Sequence, residues 1–151
     1  MDLNNPLQFL LFFVGTWLAA LLAVSLLSGW AELARVYRSP RPFEGPRWRF
    51  ESARMRLSMN YNRCLTVGAN GQGLYLSLLF LFRFGHPALF IPWNEVAVVR
   101  EGRTFWWKWS EFRFRQAPWV YIRLGERLSQ QIKVSAGTAW ASTLAQSGTK
   151  Y

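Results

Sequence analysis

Near the start of the chain, 22 consecutive residues from Leu7 to Ser28 (LQFLLFFVGTWLAALLAVSLLS) carry no formal charge. At about 1.5 Å of rise per residue, a helix of that length measures roughly 33 Å, enough to cross the hydrocarbon core of a bilayer. Asp2, Asn4 and Asn5 offer capping side chains just before Pro6, a favourable first-turn residue. A single membrane span is therefore expected. A cleaved signal peptide would want basic residues ahead of a shorter apolar core, so a retained anchor is the better reading. Beyond the span there is room for one domain of about 120 residues.

Charge sets the expected orientation. The chain carries +10 overall, and its only acid before residue 31 is Asp2. Arg35, Arg38, Arg41, Arg47, Arg49, Arg54, Arg56 and Arg63 come after the apolar run, opposed in that stretch only by Glu44 and Glu51. Cytoplasmic flanks of spans collect Arg and Lys, so the N-terminus is expected outside and the domain on the cytoplasmic face of the membrane. Trp30, Arg35, Arg38, Arg41, Arg47 and Arg49 are the candidate contacts with the headgroup layer; the plainer alternative is that these arginines only set topology. Inside the span, Gly15, Ala19 and Ala23 recur every four residues and form a ridge on which another helix could pack closely. The span holds no His, Asp, Glu, Lys or Arg, hence neither a proton relay nor a haem or chlorophyll ligand.

Three segments are expected: an anchor and juxtamembrane helix over 1–38, a linker over 39–47, and a β domain over 48–151. Trp30, Leu33 and Tyr37 keep a helical period, and Pro40 and Pro42 end it. Two-residue alternation then predicts strands over 64–68, 74–82, 89–91, 95–100, 104–109, 111–115, 119–124 and 128–134. Asn70-Gly71 supplies a hairpin turn, Leu74 to Phe82 the most apolar and most covered strand, and Pro92 an edge or bulge. Trp140 and Leu144 predict a closing helix over 137–146. The fold class is thus one N-terminal transmembrane helix plus a mainly antiparallel β domain, a partly open barrel or sandwich, with a C-terminal helix.

That order of strands and helix, together with Gly29-Trp30 and Leu33-Ala34 after the span, GLYLS at 73–77 and HPALFIPW at 86–93, resembles the pleckstrin-homology (PH) superfold. The likeness is to small bacterial membrane-anchored proteins with a PH-like or GRAM-like domain. It implies a binding or scaffolding role beside a membrane.

Signatures of catalysis are missing. His86 has no Cys or His companions at metal-ligand spacing, and Cys64 stands alone, with apolar Leu65 and Val67 as its flanks. No G-x-S-x-G elbow occurs, and the glycines of 68–73 lack the Lys and Ser/Thr of a phosphate loop. Glu95, Glu101, Glu111 and Glu126 lie among arginines, which predicts pairing rather than acid catalysis. No metal, cofactor, small-molecule substrate or nucleic acid is expected. Phe105 to Trp109 (FWWKW), read as a strand, puts Trp106 and Lys108 on one face as a candidate partner contact. The expected function is a non-catalytic accessory or scaffold subunit of an integral membrane complex, for example a respiratory or photosynthetic one. The alternative is a tethered PH-like module binding anionic lipid or a peripheral protein.

Overall fold

The computed structural model describes residues 4–39, 41–56 and 59–140. Helix α1 (Pro6–Ser28) starts where Asn5 Oδ1 accepts the Leu7 N–H at 3.0 Å, with Pro6 in the first turn. Its most apolar 18-residue window has a mean hydropathy of 2.4, and only 11% of that window is buried. The helix is long and apolar enough to cross a membrane, and its own domain leaves most of it bare. Gly29 ends it at φ +92°, a left-handed conformation that favours glycine, and α2 (Trp30–Tyr37) begins at once. Trp30, Leu33, Ala34 and Tyr37 form the buried face of α2.

Next come seven strands: β1 (Arg47–Met55), β2 (Met59–Ala69), β3 (Gly73–Leu78), β4 (Leu89–Pro92), β5 (Val96–Thr104), β6 (Trp107–Phe114) and β7 (Ala117–Gly125). They make one antiparallel sheet in the order β4-β3-β2-β1-β7-β6-β5. Helix α3 (Glu126–Ala136) packs on β2, β6 and β7. β2 and β6 are three places apart in the sheet, so one helix can touch both only if the sheet curls. Helix α2 bridges β4 and β7 in the same way, near the start of β7. The curled interior holds Leu65, Leu76, Phe112, Ile122 and Ile132, all fully buried.

Several sequence expectations hold. Asn70 Oδ1 takes the N–H groups of Gln72 and Gly73 at 2.8 and 3.0 Å, making the β2–β3 turn. Strand β4, ending in Pro92, lies at the sheet edge, where a missing donor costs no ladder bond. Segment 39–47 runs beside the sheet: the Ser39 N–H donates to Ala88, and Phe43 stacks on Tyr75 at 4.9 Å.

Other expectations are corrected. The strand over 74–82 stops at Leu78, and Phe80–Phe82 is a single 3-10 turn. The stretch 128–134 is helical because Leu128, Ile132 and Ala136 repeat every four residues and all face the core. Phe105 and Trp106 form a two-residue turn between β5 and β6, so FWWKW is a hairpin tip and not one strand. Of the closing helix expected over 137–146, residues 138–140 are helical and the rest lies outside the described residues.

Gly29 is the tightest point of the α1–α2 corner: a Cβ there would sit 2.6 Å from Val120 Cγ2. A left-handed alanine plus that overpacking should cost about 2–4 kcal/mol in Gly29→Ala. Gly15→Ala should cost nothing, since no atom lies within 4 Å of its Cβ position. Thermal unfolding of both variants in one detergent checks the contrast.

Candidate functional site

The feature that most distinguishes this chain is the junction between α1 and the sheet. A helix leaves its last carbonyls without intrahelical donors. Here Arg56, just beyond β1, supplies them: Nη2 and Nε donate to the Leu26 and Leu27 carbonyls at 2.9 and 3.1 Å. Its Nη1 also pairs with Glu32 at 3.0 Å, and Glu32 accepts the Trp119 indole N–H. Trp119 foremost, with Arg56 beside it, holds the Glu32 carboxyl below its usual range, partial burial opposing.

A second set of contacts runs through buried hydroxyls. His86 Nδ1 lies 3.0 Å from the Phe84 carbonyl, which can only accept, so Nδ1 carries the proton. Nε2 then accepts the Tyr61 hydroxyl at 3.0 Å, and the Tyr61 oxygen takes the Ser28 hydroxyl at 2.8 Å. Ser28 Oγ in turn accepts the Trp30 N–H at 3.3 Å. Burial pushes the Tyr61 phenol up to about 12 and the His86 imidazole down. This is a neutral relay that fastens helix to sheet.

The loop between β3 and β4 completes the junction. Trp17, halfway along α1, donates its indole N–H to the Leu81 carbonyl at 3.1 Å and lies against Phe82 at 5.5 Å. Ser25 donates to the Gly85 carbonyl. Phe80, Leu81 and Phe84 remain 74%, 58% and 50% exposed beside the helix.

The residues singled out from the sequence fall in different places. Trp30, expected at headgroup level, is instead fully buried against Tyr61 and His86, its indole N–H donating to Pro87 at 2.9 Å. Arg35 and Arg38 are exposed on and just after α2, and Arg41 is exposed. Arg47 leans over the Phe43 and Tyr75 rings at 5.6 and 5.5 Å. Arg47 and exposed Arg49 belong to the start of β1, some 20 Å or more along the strand from Arg56 at about 3.3 Å per residue. Of the six headgroup candidates, Trp30 is thus taken out of the surface. Gly15, Ala19 and Ala23 are exposed. At about 100° per residue they turn away from Trp17 and Ser25, which meet the β3–β4 loop, and from Ser28, which meets Tyr61 of β2. Trp106 is 87% exposed and Lys108 is exposed, both at the end of the β5–β6 hairpin away from α2. Glu111 is buried and paired with Arg113 and Arg123 at 3.2 and 3.0 Å.

Sequence reasoning missed Arg56, Tyr61, Trp17 and Trp119 as junction residues. Ser25 and Ser28, two hydroxyls three residues apart in an otherwise greasy helix, were the legible hint. Also missed was a shallow cleft of about 440 Å³ where β1 and β2 meet α3, lined by Arg54, Arg63, Arg127, Asn60 and Trp107. Phe50 and Arg63 on its rim hold left-handed backbones, φ 56° and 52°, where the β1–β2 register slips. Comparison with protein-family models, with curated proteins and with solved structures finds no match to this chain.

The relay carries a pH dependence. Because the folded imidazole is harder to protonate, the unfolded chain binds more protons below its own pKa, near 6.5. Stability should be full above about pH 6.5 and decline as pH falls towards 5. His86 is the only histidine, so His86→Gln should abolish the slope in that window; thermal melts across pH in detergent check it.

Proposed function

We propose that this chain is a non-catalytic accessory subunit of an integral membrane complex, with α1 crossing the membrane once and a PH-like domain held on the cytoplasmic face. One observation carries the reading. The helix is locked to its domain through Arg56, Ser28 and Trp17 while its small-residue ridge faces outward and bare. A simple tether would need only a flexible connection. A rigid bracket fixes the height and direction of the domain relative to whatever packs on α1. The arginines after the apolar run support the orientation.

Solubilised gently, the full chain should co-purify stoichiometrically with larger membrane partners, undisturbed by high salt. Gly15→Leu with Ala19→Leu should abolish this without lowering the chain's own melting temperature, because neither side chain meets the domain. Purification of wild type and variant alike as a lone chain would overturn the reading.

A second reading, a module binding anionic lipid, has the cleft of Arg54, Arg63 and Arg127 in its favour. It expects anionic phospholipid, and not neutral phospholipid, to raise the melting temperature of the detergent-solubilised chain. Arg54→Gln with Arg127→Gln should remove that rise.

A further inference from the structure

We infer that the β3–β4 loop, residues 79–85, is a second membrane element: it enters the hydrocarbon of one leaflet beside α1 and contacts acyl chains through Phe80, Leu81 and Phe84. The inference rests on the reading of α1 as a span and adds a depth to it.

Length requires it first. Helix α1 has 23 residues, about 34 Å, but Trp17 at its midpoint already touches Leu81 and Phe82. Only Pro6 to Thr16 is clear of the domain, about 16 Å, against a hydrocarbon core of about 30 Å. A helix so docked can cross the core only if the loop bound to its second half goes in with it.

Backbone chemistry agrees. Hydrocarbon offers no water, so irregular chain at that depth must satisfy its own polar groups. The carbonyls of Leu78–Leu81 and Arg83–Gly85 all accept hydrogen bonds from protein donors. The Arg83 Nε serves Leu78, the Trp17 indole serves Leu81, His86 serves Arg83 and Phe84, and Ser25 serves Gly85. The N–H groups of Phe82 and Arg83 serve Leu79 and Phe80. Seven carbonyls between Leu78 and Gly85 are thus served from within the protein, which a solvent loop has no need of. The side chains fit the same medium: Phe80, Leu81 and Phe84 are exposed on a loop that lies against the part-exposed Trp17 of α1. Arg83 is exposed at the same turn, and its guanidinium folds back on the Leu78 carbonyl.

The test uses the full chain with Cys64→Ser, reconstituted in phosphatidylcholine vesicles, with a fluorophore at a single new cysteine. Leu81→Cys and Phe80→Cys report the loop, Leu11→Cys the helix, and Trp106→Cys the distant hairpin tip. All four sites are exposed, so the fold tolerates them. Lipids brominated in mid-chain should quench the labels at 80 and 81 as strongly as the label at 11, while aqueous iodide quenches only the label at 106. If the label at 11 is lipid-quenched but those at 80 and 81 answer to iodide, the loop inference is overturned and the span stands. If 11, 80 and 81 all answer to iodide, both readings fall.

Discussion

Everything distinctive in this molecule depends on how the C-terminal end of α1 is received. Arg56 gives the Leu26 and Leu27 carbonyls the donors that the helix itself cannot. Hydrogen bonds from a charged donor contribute about 1.5–3 kcal/mol each, more than the half-exposed ion pair with Glu32. One guanidinium thus joins α1 to β1 and, through Glu32 and Trp119, to α2 and β7. The corner at Gly29 would otherwise be a swivel. With it, α1, α2, β1 and β7 are tied together at one corner.

The sheet's order gives that body its shape. With β1 beside β7, the first and last strands lie at its middle, and the two free edges, β4 and β5, are far apart in the ladder. Curling brings the halves towards each other, and α2 and α3 close the gaps from the beginning and the end of β7. The polar surface sorts accordingly. Arg35 and Arg38 stay near the α1 corner, while Arg54, Arg63 and Arg127 gather on the outer face where the β1–β2 register slips.

Where a segment's fate depends on neighbours close in sequence, the chain was legible. The uncharged run, the Asn5 cap, the Asn70 turn and the edge position of Pro92 come from local chemistry. The misreadings share one cause, which is a partner distant in sequence. Phe80 to Phe82 continue the apolar alternation of β3, yet leave the sheet because α1 offers Trp17 some 60 residues upstream. Trp30 resembles an interfacial tryptophan, but Tyr61, His86 and Pro87 enclose it. The run from Leu128 to Val134 is the exception. Its four-residue spacing was visible, and β-branched Ile132 and Val134 masked it. Of the junction, only the apolar helix and the hydroxyls at Ser25 and Ser28 could be read in advance, since Arg56 is one arginine among fifteen.

The far hairpin shows what a rigid bracket is suited to carry. Two-residue hairpin turns favour Asn-Gly, yet β5 and β6 are joined by Phe105-Trp106. Phe105 is left-handed at φ 56°, at a cost of about 1–2 kcal/mol, and 83% exposed, so it adds almost nothing to the core. The fold is not served by these two rings. They stand at the end of a strand running some 25 Å away from the α2 corner. A swinging tether would present such a tip at no defined place. On the proposal that α1 crosses a membrane, a domain fixed to that helix would hold the tip at one height and one bearing for a partner in the same bilayer.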